Sequence, residues 1–313
     1  MATLNTRVAA SYSDHIMAFL EKRFIEYLKA NLVLAGLGMK KVLPAHVGST
    51  CKWNQWNALA ADVTALTDGV SPDGKTPTSN NYTATVYAYG AYIAVSDALQ
   101  LFAINDTLKD SQELLSYMAS LTLDTLIRNE IDANGTQRYA DHANNSSKAN
   151  VESGSDKMSS DELKYVLKML RLSNVRPFDG GIYKGIIHPY MEFDLLAETA
   201  ASSFIVMSAT NGTGSKVIEQ AEIGRAFGID LYRSTNVRAD AASTNTYGNI
   251  FLGKDAFGEV DVESAQLKMI VKPHGSSGVE DPLDQRATVG YKMYFAVKTL
   301  EAVRSQILWA YGA

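Results

Sequence analysis

An α+β fold follows from three features of this sequence. A long stretch near residues 105–135 spaces its leucines and isoleucines at three and four. Two stretches, 41–57 and 81–97, are dense in Trp, Tyr, Thr, Val and Ile, and the run from residue 290 alternates at period two. There is no internal repeat, and the alternation of helix, strand and helix after residue 158 suggests a mixed α/β unit within the α+β whole.

Taken in order, Ile16, Phe19, Leu20, Phe24, Tyr27 and Leu28 set a helical stripe over residues 14–34 that "AGLGM" breaks. Two strand arms follow, and between them lies "ALAADVTALTDGVSPDGKTPTSN", whose Gly69, Pro72, Gly74 and Pro77 are turn chemistry. A connection of this length is unusual inside a compact domain, so it reads as an excursion from the body. The clearest helix comes next. Leu114, Tyr117, Met118 and Leu121 form one stripe, Leu123, Leu126, Ile127 and Ile131 continue it on a shifted phase, and Gly135 is the stop. About 25 residues of helix at about 1.5 Å each would make a spine some 37 Å long.

A polar linker leads to "SSDELKYVLKMLRLSN", where Ser159 and Glu162 make a capping box ahead of Leu163, Val166, Leu167 and Leu170. "YKGIIHP" reads as a short strand and "YMEFDLLAETA" as a helix with Phe193, Leu196, Ala197 and Ala200 on one face. "GIDLYRSTNV", "GNIFLG" and "AQLKMIVKP" are further strands. In the last segment Tyr291, Met293, Phe295 and Val297 alternate with Lys292, Tyr294, Ala296 and Lys298.

The 313 residues, 46% of them hydrophobic and 20% charged, suffice for one large domain or two ordinary ones. A net charge of -5 excludes a broad basic field for gripping nucleic acid. One cysteine, Cys51, excludes an internal disulfide and the usual cysteine zinc patterns, and fits a reducing compartment. No export signal opens the chain, and its most apolar run, residues 31–39, falls far short of the roughly 20 residues that span a bilayer, so the chain reads as soluble with no membrane partner.

Candidate chemistry is sparse. His15, His46, His142 and His274 lack an acidic or histidine partner at ligand spacing and read as surface or packing residues. His188 ends a strand ahead of Pro189, with Glu192 and Asp194 nearby; a catalytic role is weighed against a turn histidine at a helix start, and the turn is preferred. "NGTGSK", residues 211–216, lacks the spacing of a phosphate loop and reads as a flexible loop. Cys51 reads as a small, half-buried strand residue. Asp281 and Asp284 could pair for acid–base or metal work. Three apart around Pro282, they fit better as structural turn residues bonding local amides and setting the next strand from Gly290. No cofactor or metal motif remains. A soluble α+β hydrolase or metal-dependent enzyme would have to use His188, Asp281 and Asp284.

This order of arm, excursion, spine helix, central α/β unit and terminal sheet resembles the Hong Kong 97-type capsid fold. The final third is similar to the major capsid protein family typified by the coat protein of coliphage N-four. The shared series is His188-Pro189 with Asp194-Leu195-Leu196, then Gly253 to Gly258, Ser277-Gly278, Asp281 to Gln285 and Thr288 to Lys292. The resemblance implies an N-terminal helical arm at 1–40 and an extended β-hairpin loop at 41–98. It further implies a peripheral domain made of 99–157 and 261–313, carrying the spine helix and the terminal sheet, and an axial domain at 158–260.

It also implies hexamers and pentamers of this chain in an icosahedral shell around double-stranded phage DNA held by non-specific contact. The expected further partners are a portal, with room for scaffolding or decoration proteins. The expected location is the virion capsid, assembled in the cytoplasm of a bacterial host, with no scaffolding segment cleaved from this chain. The same fold could instead build an encapsulin-like shell around protein cargo. The hairpin is expected to lie across a neighbour through Trp53, Trp56, Asp68, Pro72, Lys75, Tyr82, Tyr87 and Tyr89, and the arm to pack under another subunit. Sixteen tyrosines add amphipathic contact surface.

Overall fold

The computed structural model describes residues 33–66, 68–102, 107–151, 156–198, 224–240, 245–263, 267–276 and 281–312. The expected arm helix, His15, the 211–216 loop and the Ser277-Gly278 pair lie outside them.

Two sheets and a spine helix organise the described chain. The first sheet has five strands in the order β1 (Met39–Leu43), β11 (Phe257–Val262), β13 (Arg286–Thr299), β12 (Lys268–Lys272), with β4 (Tyr87–Ser96) on the other edge of β13. β1 runs parallel to β11, and β13 is antiparallel to β4 over ten paired residues, from Arg286↔Ser96 to Phe295↔Tyr87. The second sheet has seven strands. Its path is β5 (Thr136–Tyr139), β14 (Ser305–Tyr311), β10 (Thr246–Leu252), β6 (Tyr183–Ile187), β8 (Ile229–Arg233) and β7 (Arg225–Ala226), and β9 (Arg238–Ala239) pairs with β10. β2 (Thr50–Trp56) and β3 (Ser79–Thr85) form a separate hairpin. β14, inside the 261–313 segment, pairs with β10 of the 158–260 unit, so sheet membership cuts across the segments drawn on the sequence.

A short helix α1 (Asp97–Phe102) precedes the spine, α2 (Thr107–Asn134), whose 28 residues make a rod of about 42 Å. Leu115 and Ala119 of α2 pack on Met269, Val289, Tyr291 and Met293 of the first sheet. Further along, Ile127 and Ile131 are fully buried with Ile250, Ile307 and Trp309 of the second. One helix therefore joins two cores. The stripe Leu114, Tyr117, Met118 and Leu121 does not face inward: these residues are 65%, 57%, 46% and 39% exposed. The sheet takes Leu115 and Ala119 instead, because small and medium side chains let a helix lie close on a sheet.

α3 (Ser160–Leu172) starts at the expected Ser159 cap, but the capping box is half made, because the Glu162 carboxylate turns to His142 instead of back to the Ser159 amide. The Ser159 hydroxyl accepts from the Glu162 amide at 3.3 Å, and Leu163, Val166 and Leu170 are buried. α4 (Pro189–Ala197) buries Met191, Glu192 and Leu195, while Phe193 is 64% exposed, so the face expected from Phe193 and Leu196 is displaced by one position. Among the described residues no helix is long and apolar enough to cross a membrane.

Candidate assembly interface

The hairpin is rooted in the first sheet and projects from it. Leu43, Cys51, Trp53 and Ala84 are buried with Val260, Ala296 and Leu300, and Tyr82 packs at the margin of this cluster. The Gln55 amide donates to Glu301 Oε2 at 3.2 Å, and Lys41 Nζ donates to the Lys52 carbonyl at 2.6 Å. Beyond Trp56 the ladder closes with the Asn57 amide on the Thr78 carbonyl at 2.9 Å. The described residues between carry exposed apolar side chains, with Val63 93% and Leu66 75% exposed. Lys75 pairs with Asp62 at 3.1 Å across the excursion. Among the described residues these side chains join none of the buried clusters.

The eight expected contact residues divide accordingly. Trp56 and Tyr87 are 69% and 61% exposed, and Asp68, Pro72 and Lys75 stand in solvent. Trp53 is a correction: at 7% exposure it is the plug that seats the hairpin on β11, because period two in β2 turns Cys51 and Trp53 to the same inner face. Tyr82 is half-buried for the same reason. Tyr89 also turns inward, packing beside Leu123 and Leu126 of α2. Cys51, expected half-buried, is 3% exposed.

On the face of the first sheet opposite α2 lies an open trough of about 610 Å³. Ala88, Tyr92 and Thr288 line it, and Lys272, Arg286 and Lys292 supply three cations. It is a shallow basic surface.

The residues weighed above for chemistry are held in structural bonds. His188 is the N-cap of α4: its Nδ1 accepts from the Tyr190 amide at 3.3 Å, its amide donates to Asn249 Oδ1 at 3.0 Å, and its ring stacks on Tyr247 at 3.9 Å. Burial pushes its pKa down, which keeps the imidazole neutral and able to accept. Asp281 and Asp284 belong to the turn before β13, in the other sheet. Asp281 is buried, its Oδ2 accepts from the Arg286 amide at 2.7 Å, and its carbonyl accepts from the Asp284 amide at 3.1 Å. Asp284 adopts φ 53°, a left-handed position that Asp tolerates better than most residues. The strand starts at Arg286, four residues before the Gly290 start expected, because Asp281 caps it there and the Gln285 carbonyl already accepts from the Asp97 amide at 3.0 Å. Among the described residues no group of three or more His, Cys, Asp or Glu side chains could hold a metal.

Sequence spacing missed His142. It pairs with Glu162, twenty residues away, Nδ1 to Oε1 at 2.9 Å, and stacks on Tyr165 at 3.8 Å. Also missed were two carboxylates that hold the root of the N-terminal segment. Asp124 accepts from the Leu34 amide at 2.9 Å, and Glu259 accepts from Gly36 and Gly38 at 2.9 and 3.2 Å. Burial raises the Glu259 pKa above its ordinary value.

The described architecture is similar to that of solved bacteriophage capsid subunits. The capsid subunit of cyanophage P-SCSP1u superposes with a TM-score of 0.67 at 13% identity, over 90% of this chain and 89% of its own. The capsid of Ralstonia phage GP4 gives 0.66 at 12% identity over 88% and 87%, and that of cyanophage Pam1 gives 0.65 at 13% identity over 92% and 93%. No protein-family model and no curated protein matches the chain. The Hong Kong 97-type capsid fold expected from the order of elements is thus present, at identities that carry the fold alone.

Proposed function

We propose that this chain is a major capsid protein, a structural protein whose copies form the hexamers and pentamers of an icosahedral shell around phage DNA. The observation that supports this best is a fold shared with capsid subunits over about nine-tenths of both chains. Residues 1–40 act as the arm, 41–98 as the extended loop, 99–157 and 261–313 as the peripheral part, and 158–260 as the axial part, directed toward the five- and six-fold centres. The chain works in the virion capsid after assembly in the bacterial cytoplasm, beside a portal and any scaffolding or decoration protein.

The excursion at 58–81 reaches an adjacent subunit. Two properties support this: its exposed Val63 and Leu66, and an acidic balance of Asp62, Asp68 and Asp73 against Lys75. Charge of that sign suits a basic sheet face such as the trough of Lys272, Arg286 and Lys292. Electron microscopy of the expressed protein is expected to show regular shells. A monodisperse species of one subunit mass overturns the reading, and shells purified with protein cargo and without nucleic acid would favour an encapsulin-like container. Deleting residues 66–80 is expected to leave a folded subunit that builds no shells.

A further inference from the structure

In the excursion four apolar residues recur at helical spacing. Leu59, Val63, Leu66 and Val70 stand at i, i+4, i+7 and i+11, and at about 100° per residue they fall within an arc of about 60°. A strand would scatter them over both faces. Asn57 ahead of them is a favoured N-cap, and Ala58, Ala60, Ala61 and Ala65 are strong helix formers. Gly69, at φ 77°, already holds the left-handed conformation that ends many helices. Yet residues 58–66 form no helix. The four apolar side chains are exposed, and the Asp62 carboxylate accepts from the Thr64 amide at 3.2 Å, a local bond that competes with helical ones. A helix shorter than about 12 residues does not hold in water without a surface to cover its apolar row.

The trough on the first sheet is such a surface. Strand register sets Tyr92, Gly290 and Ile270 side by side, so two exposed apolar side chains flank a bare glycine. They stand two strand spacings apart, about 9–10 Å, which is close to the diameter of a helix. Lys292 and Lys272 lie two residues beyond on either side. In a helix Asp62 borders the apolar row, and Asp68 and Asp73 follow it, so the segment's charge is opposite to the trough's. The subunit's own trough is out of reach. Trp53 sits on Gly258, which pairs with Lys298, and Gln55 bonds Glu301, so the hairpin runs toward the end of β13 far from Gly290. From Gly290 to Lys298 is about 26 Å of strand, whereas residues 58–66 as a helix span only about 13 Å. We propose that residues 58–66 wind into an amphipathic helix seated in the Tyr92–Gly290–Ile270 trough of a second copy of this chain. This rests on the shell reading above and gives the segment both a conformation and a seat. In the free subunit the segment stays unwound, so the contact forms only where two copies meet.

Thr64, exposed and off the apolar row, carries the test. Thr64→Pro keeps all four apolar residues but forbids the helix, whereas Thr64→Ala favours it. Both variants are expected to melt with the parent as isolated subunits. The protein concentration needed for shells, read by sedimentation and electron microscopy, should rise at least tenfold for Thr64→Pro and should not rise for Thr64→Ala. Shells from Thr64→Pro at the parent's concentration overturn the helix, and so does an equal loss in both variants. A parent that forms no shells overturns the shell reading itself, so the two failures are told apart. The seat is tested by cysteines at Ala65 and Thr288 in a Cys51→Ala background, treated as shells with a short bismaleimide. Products of dimer mass and above, with a cross-linked peptide joining positions 65 and 288, are expected. A subunit-mass product or the absence of any cross-link overturns docking in a second copy's trough.

Discussion

The indole of Trp53 lies directly on Gly258 of β11: a Cβ at Gly258 would stand 2.5 Å from Trp53 Cζ2. The hairpin is therefore seated on a bare stretch of backbone, and only glycine leaves room for the ring. Gly258→Ala must push Trp53 off its seat, an overpacking cost of about 1–3 kcal/mol. Chemical denaturation should show that loss, and tryptophan fluorescence should shift to the red in the folded variant. Unchanged stability and emission would mean that Trp53 does not seat the hairpin.

Glu259 sets a pH dependence. Burial raises its folded-state pKa above that of the unfolded chain, so the folded protein binds a proton more readily. The associated stability is fully present below the ordinary carboxylate range and is lost as pH rises through the raised folded value. Glu259→Gln keeps an oxygen for the Gly36 and Gly38 amides and removes the buried charge. It is expected to melt above the parent at about pH 8, with the gap closing near pH 4, where Glu259 is already protonated. Equal melting temperatures at both pH values would count against this account.

The turn before β13 separates two aspartates three residues apart. Asp281→Ala leaves the Arg286 amide without its acceptor in a partly buried setting, at a cost of about 1 kcal/mol. Asp284→Gly should cost less, since glycine adopts the left-handed φ without strain. Urea midpoints of the two variants give the order, and the reverse order would remove Asp281 from its capping role.

On α4 two neighbouring apolar residues should behave oppositely. Met191 is fully buried among Leu163, Ile187 and Leu195, so Met191→Ala is expected to cost about 2–5 kcal/mol. Phe193, two residues on and exposed, should change the stability of the isolated subunit by no more than about 0.5 kcal/mol when cut to Ala. A large loss at Phe193 would show that its face is covered within the subunit.

Much of the local structure was legible. The spine helix, its stop at Gly135, the Ser159 cap and the alternation of β13 all rest on residues within a few positions of one another, whereas the expected arms 41–57 and 81–97 are each divided, β1 and β4 joining the first sheet and only β2 and β3 forming the hairpin. The surface expected to make contacts was legible only in part. Composition marked the excursion as an outlier, but it could not separate Trp56, which is exposed, from Trp53, which is a plug, because the two differ only in which side of β2 meets β11.

The limit lies in the range of the interactions. Helix stripes, caps and turns are set by neighbours along the chain, and the residues themselves carry that information. Which stripe of α2 turns inward depends on β13, more than 150 residues later, and Leu114 and Leu115 are equally apolar until that sheet arrives. The return of β14 to β10, the meeting of His142 with Glu162 and the clamp of Asp124 and Glu259 on residues 34–38 are likewise products of packing. Burial is a property of two surfaces, and a sequence writes down only one of them at a time.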